Sequence, residues 1–282
     1  MKVAVVAWKL RRVRRDSEFF SHYYDFVEQA HARGAEWIIF PELPVLELLH
    51  LVPDLREQDV PKYLAQYAEG IEEWLLRISA NSGLTIVSGS HFRETDEGIV
   101  NACGIASPDG RLIFSYKNNL TTYEREVWTL RRGEGLSRLQ DHRVGVTICY
   151  DSEFPESGRA LAEEGVLLQA VPAFTETRHG HQRVRFCCQA RATENQVFVA
   201  HAALIGDLGR EPVPTTYGSS AILTPSISPF PYSAVLDETP LNQEGIAFAD
   251  LDFDALLAAR DSGDVRNWND RRQSGWPLTR FS

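Results

Sequence analysis

Cysteine is scarce in this chain: four occur among 282 residues, at positions 103, 149, 187 and 188. Cys187 and Cys188 are adjacent and would pair poorly with each other, so no disulfide framework is expected. The apolar stretch at residues 3–8 is shorter than the core of an export signal, and basic residues follow it. We therefore expect a reduced, cytoplasmic protein in which a thiol can take part in chemistry.

An excess of basic residues is also lacking. Lys and Arg total 29 against 39 Asp and Glu, which gives a formal net charge of −10. Because phosphate backbones are bound by basic faces, we expect no nucleic-acid partner. The longest apolar runs, at residues 3–8 and 165–174, are far shorter than the roughly 20 residues of a membrane-spanning helix, so no membrane partner is expected.

Apolar β-branched runs alternate with amphipathic stretches along the chain, which predicts an α/β fold. Strands are predicted at 3–8, 37–40, 84–88, 101–107, 111–116, 143–149, 166–171, 196–203, 219–224 and 245–251, and helices at 18–33, 62–80, 123–130, 155–164, 181–195 and 254–260. Because several strands follow one another without a helix between them, hairpins and mixed sheets are expected. The prediction is a four-layer α-β-β-α sandwich: two mixed sheets packed face to face, with helices outside.

No repeat, low-complexity segment or Gly/Ser-rich linker divides the chain, so we expect a single domain at residues 1–260. The remaining segment, 261–282, is polar but carries Trp268, Trp276 and Phe281. A free tail rarely has such apolar anchors, so this segment is expected to dock on this subunit or on a second one.

Three apolar strands are each followed closely by a residue with reactive chemistry: Glu42, Lys117 and Cys149. Side chains at strand ends are held rigidly, while the loops that follow can shape a pocket. Cys149 precedes a helix that begins near Pro155, and a thiol beside a helix N-terminus or a cation has a lowered pKa and becomes a nucleophile. The alternative is a small, buried apolar side chain, a common role of cysteine.

The other two residues have similar alternatives. A partly desolvated Glu42 after Pro41 would have a raised pKa and could act as a general base, whereas a solvated or ion-paired Glu42 would not. Lys117 is either a surface lysine at a strand end or, beside Glu42 and Cys149, a group that stabilises an oxyanion. Taken singly, Glu126 reads as a solvated residue on a short helix.

Together these segments resemble the carbon–nitrogen hydrolase family, also called the nitrilase superfamily, which carries a Glu–Lys–Cys set in this chain order. The matching residues here are Glu42, Lys117 and Cys149. The resemblance runs from residue 3 to about residue 250. The segments that carry it are 35–42, 116–117, 123–128 with Gly133, 149–156, 190–199 and 217–225.

This chain departs from the family pattern at one position and matches it ambiguously at another. Asn119 stands where the family often has a histidine, two residues after the lysine. The family's second glutamate corresponds to Glu124 or Glu126, and the spacing to Gly133 favours Glu126.

The resemblance implies a mechanism through a cysteine thioester. Glu42 would be the base, Cys149 the nucleophile, and Lys117 with the backbone amide of Tyr150 the oxyanion stabilisers. Glu126 would orient Lys117 or the substrate amide. The family builds its pocket around the segment that contains Phe174 and Thr175, which are the expected substrate-binding residues. No metal and no organic cofactor is implied, because the sulfur, the base and the oxyanion donors cover every step.

The Cys-Tyr-Asp sequence at 149–151 is similar to the amidase-type branches of the family, and residues 120–128 resemble a bacterial amidase-like branch. The expected activity is therefore hydrolysis of a linear, non-peptide amide to a carboxylate plus ammonia or an amine. A nitrilase or an N-carbamoyl amine hydrolase would use the same residues. A non-catalytic binding or scaffolding member of the fold is the alternative of another class, but a scaffold has no physical need for all three reactive residues.

Two expectations concern partners. The grouping of His179, His181, Cys187 and Cys188 has no metal-ligand spacing, so no metal site is expected there. A homodimer is expected, because the family pairs through surfaces near the active site and the aromatic tail needs a surface on which to dock.

Overall fold

The computed structural model describes residues 1–139 and 143–273. The strands in chain order are β1 (Lys2–Lys9), β2 (Trp37–Ile39), β3 (Thr85–Val87), β4 (His91–Thr95), β5 (Gly98–Ala106), β6 (Leu112–Tyr116), β7 (Arg138–Leu139), β8 (Val144–Val146), β9 (Leu168–Phe174), β10 (Phe198–Ile205), β11 (Ala221–Leu223), β12 (Val235–Glu238) and β13 (Gly245–Asp250). The helices are α1 (Asp16–Ala32), α2 (Val60–Ala65), α3 (Ala68–Ser82), α4 (Thr122–Glu126), α5 (Pro155–Glu163), α6 (Arg178–Asn195), α7 (Phe253–Ser262) and α8 (Asn267–Asp270). Short 3-10 helices include Pro44–Leu51 and Cys149–Glu153.

The strands form two mixed sheets that join at the end of β1. In the first sheet β1 runs parallel to β2, and β2 parallel to β3, while β13, β5, β4 and β6 add antiparallel pairings. In the second sheet β8, β9 and β10 are parallel, and β7, β11 and β12 are antiparallel additions. The last residues of β1, Trp8 and Lys9, pair in parallel with Leu204 and Ile205 of β10 and connect the two sheets.

Alternate residues of β1 face the two sides of the first sheet. Val3 and Val5 belong to the core between the sheets, which also contains Val144 and Ala170 of the second sheet. Ala4, Val6 and Trp8 belong instead to the core beneath α1 and α3. A strand buried on both faces reads as a continuous apolar run, which is why β1 stands out in the sequence. The predicted α-β-β-α sandwich of two mixed sheets is confirmed.

Several element boundaries differ from the sequence prediction. The helix predicted at 62–80 is two helices, α2 and α3, separated at Gln66 and Tyr67. The strands β4, β7 and β12 were not predicted, because they are short and carry polar residues that mask the apolar alternation. Strand β9 continues to Phe174, three residues beyond the predicted end, and so carries this residue to the pocket.

The described part of the C-terminal segment packs on its own chain. The Trp268 backbone N–H donates to Gln196 Oε1 at 3.1 Å, and the guanidinium carbon of Arg260 lies 4.8 Å from the centre of the Trp268 ring. Trp276 and Phe281, the other two predicted anchors, lie outside the described residues. Within the described ranges, no helix combines the length and the apolar character needed to cross a membrane.

Candidate active site

A cavity of about 260 Å³ opens where strands of the two sheets end. Glu42 follows β2, Lys117 follows β6 directly, Cys149 follows β8, and Phe174 ends β9. All four residues line this cavity, together with Tyr150 and Thr175. The three reactive residues, although more than 100 positions apart from first to last, therefore share one pocket.

Lys117 forms a buried ion-pair cluster with two carboxylates. Its Nζ lies 2.7 Å from Glu42 Oε1 and 2.9 Å from Glu124 Oε1. The side chains of Lys117 and Glu42 are each 2% exposed, and that of Glu124 is 4% exposed. These contacts use two of the three N–H groups of the ammonium, and the third has no partner among the described residues, so it can donate to a substrate oxygen.

The choice of Glu126 over Glu124 as the second glutamate was wrong. Glu126 is exposed, whereas Glu124 reaches Lys117. Helix α4 is little more than one turn long, and two residues along a helix is a rotation of about 200°, so both side chains cannot face the cavity. The sequence signal that identifies Glu124 is a capping box: Thr121 Oγ1 caps the Glu124 N–H, and Glu124 Oε2 accepts the backbone N–H of Thr121 at 2.8 Å.

Cys149 sits at a sharp turn between β8 and the 3-10 helix that it begins. Its φ of 45° lies in the left-handed region, which non-glycine residues rarely adopt outside constrained sites. The thiol donates to the backbone oxygen of Phe174 at 3.5 Å. The turn thus holds the sulfur at the floor of the cavity beside the end of β9.

The expectation of a lowered thiol pKa was wrong. Burial raises the pKa of Cys149 well above its ordinary range, the charge of Glu42 raises it further, and the ammonium of Lys117 only partly opposes them. A buried thiol facing a carboxylate stays protonated, so this cysteine needs a base that removes its proton as it reacts.

Burial, more than the neighbouring charges, gives Glu42 a pKa suited to that task. Burial raises the pKa of Glu42 despite the opposing charge of Lys117, and the charge of Glu124 adds to the rise. Burial alone would lower the pKa of Lys117, but Glu124 and Glu42 outweigh it and raise the pKa well above its ordinary range. Burial would raise the pKa of Glu124, but Lys117 outweighs it and lowers the pKa. The cluster therefore holds an ammonium, a carboxylate that stays charged, and a second carboxylate suited to taking up a proton.

Two further contacts fix the Glu42 carboxylate, and neither was predicted from the sequence. The Asn101 amide Nδ2 donates to Glu42 Oε1 at 2.9 Å and to Glu124 Oε1 at 3.2 Å. The backbone N–H of Phe174 donates to Glu42 Oε2 at 3.0 Å. Asn101 lies within a strand and is fully buried, and a polar residue in an otherwise apolar strand is the signal that could have identified it.

Asp151 joins the lysine loop to the nucleophile turn. Its Oδ1 accepts the Asn119 backbone N–H at 2.7 Å and the Asn119 side-chain amide at 2.9 Å, and its Oδ2 accepts the Asn118 N–H at 3.2 Å. Asn119, the departure from the family pattern, therefore has a structural function: it ties the loop after Lys117 to the turn that carries Cys149.

Glu153, Glu176 and Arg183 line one side of the cavity, which we call the outer wall. Nε of Arg183 lies 2.9 and 2.8 Å from the two carboxylate oxygens of Glu153, which neutralises this pair. Glu176 is also in the wall, and within the described residues it has no hydrogen-bond or ion-pair partner. Glu176 is exposed, and partial desolvation by the cavity wall and the charge of the nearby Glu211 raise its pKa. Among the described residues, no three His, Cys, Asp or Glu side chains are grouped to hold a metal ion.

The chain is similar in sequence to proteins of one family. The family model described as carbon-nitrogen hydrolase matches residues 2–261. The chain is 29% identical over 280 residues to the probable hydrolase YhcX of Bacillus subtilis, covering 97% of this chain and 54% of that protein, so it spans about half the length of this relative. It is 24% identical over 274 residues to the human omega-amidase NIT2, covering 92% of this chain and 91% of that protein.

Solved structures have the same architecture. Nit3 of Saccharomyces cerevisiae, a member of branch 10 of the nitrilase superfamily, aligns with a TM-score of 0.76 and 22% identity over 92% of this chain and 93% of that chain. The NitN amidase of Nesterenkonia sp. AN1 aligns with a TM-score of 0.72 and 22% identity over 96% or more of both chains. In one structure of the Nesterenkonia amidase, acrylamide has added to the active-site cysteine. At this level of identity the likeness establishes the fold.

Proposed function

Because the chain belongs to the carbon–nitrogen hydrolase family, in its amidase-like branch, we propose that it hydrolyses a linear, non-peptide amide to a carboxylate plus ammonia or an amine. The observation that carries this proposal is the convergence of Glu42, Lys117 and Cys149 in one cavity. A scaffold would gain nothing from burying an ammonium, a carboxylate of raised pKa and a thiol side by side, since each charged group is costly to desolvate.

The first half of the reaction forms a thioester. Glu42 takes the thiol proton as the Cys149 sulfur bonds to the carbonyl carbon of the amide. The carbonyl oxygen becomes an oxyanion, which accepts hydrogen bonds from the free N–H of Lys117 and from the backbone N–H of Tyr150. Such preorganised donors act on charge that develops in the transition state. Collapse of the tetrahedral intermediate breaks the C–N bond, and Glu42 returns its proton to the leaving nitrogen.

The second half hydrolyses the thioester. Glu42, again a carboxylate, takes a proton from a water molecule whose oxygen bonds to the thioester carbon. The same donors hold the second oxyanion. Its collapse expels the sulfur, which recovers a proton from Glu42, and the carboxylic acid product leaves. The raised pKa of Glu42 suits both halves, because this residue must gain and lose a proton in each.

The cavity volume favours a small substrate. The volume of about 260 Å³ is slightly below the usual range for small-molecule sites, which begins at about 300 Å³, and the walls include apolar surfaces of Trp128, Phe174 and Val184. Thr175 lies on the same wall, and we propose that it and Phe174 contact the substrate. Nitriles and N-carbamoyl amines reach the same sulfur, so they belong in the substrate panel as competing classes.

The test is ammonia or amine release across short amides, N-carbamoyl amines and nitriles, with the products identified. We expect amides to react and Cys149→Ala to abolish their turnover while leaving the thermal unfolding curve cooperative. Glu42→Gln is expected to slow turnover by at least about 10²-fold, the lower limit for general base catalysis. Cys187→Ala is the control, because this thiol lies outside the cavity. Turnover that survives in Cys149→Ala would contradict the proposal.

We also propose a homodimer in the cytoplasm, as expected from the sequence. Phe186 supports the dimer: it lies on helix α6 and is 62% exposed, which is unusual for so large an apolar side chain. Small-angle scattering that gives the mass of one 31.8 kDa chain would contradict the dimer.

A further inference from the structure

We infer that Asn101 is a positioning residue, which turns the Glu42 carboxylate so that Oε2 remains available to the Cys149 thiol. This inference deepens the proposed function and rests on it, because it assigns Glu42 as the base. Asn101 touches neither the sulfur nor the cavity surface. It acts through the two carboxylates that its amide joins.

Two donors and two carboxylate oxygens form a closed ring of four hydrogen bonds. Glu42 Oε1 and Glu124 Oε1 each accept from the same two donors, Lys117 Nζ and Asn101 Nδ2. Oε1 of Glu42 therefore accepts from two donors and is committed to the cluster. The two donors on Oε1, together with the Phe174 backbone N–H on Oε2, define the rotation of the carboxylate about its last bond, and removing Asn101 leaves Oε1 with the flexible lysine alone.

The other oxygen of Glu42 faces the strand end that also holds the thiol. Oε2 accepts the backbone N–H of Phe174 at 3.0 Å, while the backbone oxygen of the same residue accepts the Cys149 thiol at 3.5 Å. One peptide segment thus contacts both the oxygen that takes the proton and the sulfur that gives it. The Glu42 carboxylate and the Cys149 thiol also interact with each other, and this interaction lowers the pKa of Glu42 and raises that of Cys149.

Packing alone does not explain the amide at this position. The Asn101 side chain is fully buried, and within residues 1–139 and 143–273 its Oδ1 has no hydrogen-bond partner. Its strand hydrogen bonds are made by the backbone, whose oxygen accepts the Lys117 N–H at 2.9 Å. A buried acceptor without a partner is destabilising, so an apolar residue would serve a purely structural role better. What the amide adds is its pair of N–H donors.

Removing these donors has a predictable electrostatic sign. Hydrogen bonds donated to a carboxylate stabilise its charged form, so their loss raises the pKa of Glu42. The enzyme then needs a higher pH before Glu42 can accept the thiol proton. The acid limb of the pH profile should therefore move to higher pH, which a merely structural defect would not produce.

The experiment compares Asn101→Ser and Asn101→Asp with the wild-type protein. Two readouts are used: kcat and KM for the best amide of the panel, and the rate of iodoacetamide alkylation at Cys149 against pH, followed by peptide mass spectrometry. We expect kcat to fall roughly 10- to 100-fold with KM nearly unchanged, the range typical of a misplaced catalytic group. In both variants the acid limb of both profiles should move up in pH. The shift should be larger in Asn101→Asp, which places a third carboxylate beside the other two.

Asn195→Ser is the matched control. Asn195 is also a fully buried asparagine whose Oδ1 lacks a partner within the described residues, but it ends helix α6 and lies outside the cavity wall. Its replacement should lower the thermal midpoint without moving either pH profile. A folded Asn101→Ser or Asn101→Asp protein with wild-type profiles would overturn the inference. Alkylation needs no substrate, so the role of Asn101 is decided even if every amide of the panel fails and the proposed function falls.

Discussion

Gly89 packs directly against the carbonyl of Pro41, the residue before Glu42. A Cβ at position 89 would lie 1.9 Å from the Pro41 oxygen, and the φ of Gly89 is +77°. Only glycine tolerates both the left-handed backbone and this close approach. The placement of Glu42 therefore depends on a residue outside the lining of the cavity.

Gly89→Ala is expected to displace the Pro41–Glu42 segment, because the Pro41 backbone cannot move aside cheaply. We predict a loss of kcat of about 10²-fold, as for a catalytic group shifted by about 1 Å. Gly110→Ala is the control: Gly110 also has a positive φ, of +86°, but no atom of residues 1–139 or 143–273 lies within 4 Å of a Cβ built on it. Urea unfolding and kcat are measured for both. Equal effects of the two substitutions would show that backbone strain alone, and not the contact with Pro41, is responsible.

The sequence predicts those site residues whose signal lies in their own segment of the chain, and it misses those that depend on distant segments. Glu42, Lys117 and Cys149 could be found because each follows an apolar strand in an order typical of one family. Asn101 was missed, because its one signal is a polar residue at the start of the predicted apolar strand 101–107, and its partners Glu42 and Glu124 come from distant segments. The pKa of the Cys149 thiol was mispredicted because its largest cause is burial, which the sequence does not reveal, and the charge of Glu42 from another segment adds to the rise.

The elements of the fold also differed in how well the sequence predicted them. Buried strands such as β1 were predicted well, because burial on both faces leaves a continuous apolar run. The interruption between α2 and α3 left no such trace, since Tyr63, Leu64, Tyr67 and Ile71 keep a helical spacing across it. Local periodicity cannot reveal where tertiary packing ends a helix.

Glu124→Gln and Glu126→Gln form a matched pair that tests the assignment of the second glutamate. Glu124→Gln removes one of the two charges that balance Lys117, so Nζ should shift and kcat should fall by about 10-fold or more. Glu126 is exposed, so Glu126→Gln should leave kcat within about twofold and stability within about 0.5 kcal/mol. Steady-state kinetics and urea unfolding give both quantities. A larger kinetic effect at position 126 would restore the original prediction.

A buried histidine couples stability to pH beside the 3-10 helix Pro44–Leu51, which follows Glu42 in the chain. His22 Nδ1 lies 3.2 Å from both oxygens of Glu47, and its Nε2 lies 2.9 Å from Glu244 Oε1. Burial alone would lower the pKa of His22, and the nearby Arg11 also lowers it, but the hydrogen bonds to Glu244 and Glu47 outweigh them and raise it. A raised folded-state pKa stabilises the fold fully below the unfolded value of about 6.5, and the gain is lost as pH rises through the folded value.

The prediction is that the stability difference between wild type and His22→Gln is largest near pH 6 and shrinks toward pH 9. Thermal midpoints across this range measure it. His31→Gln is the control, because His31 is exposed at the end of the same helix, and its difference from wild type should not follow this trend. A His22→Gln difference that grows with pH would mean that His22 is held neutral in the folded protein.

The charge of the outer wall should select among amides of similar size. Arg183 is neutralised by Glu153, while within the described residues Glu176 has no cationic partner, so the wall carries a net negative charge. An amide with a terminal ammonium, such as β-alaninamide, should therefore have a lower KM than one with a terminal carboxylate, such as succinamic acid. One charge pair at about 4 Å in water is worth about 1 kcal/mol, or about fivefold in KM.

Glu176→Gln should reduce the difference in KM between the two amides. Adding 0.5 M NaCl should reduce it as well, since exposed charges are screened by salt. Glu28→Gln, on the outer helix α1, should leave the difference unchanged. A lower KM for the carboxylate-bearing amide would instead indicate that recognition is governed by the two terminal guanidinium nitrogens of Arg183, which make no hydrogen bond to the described residues.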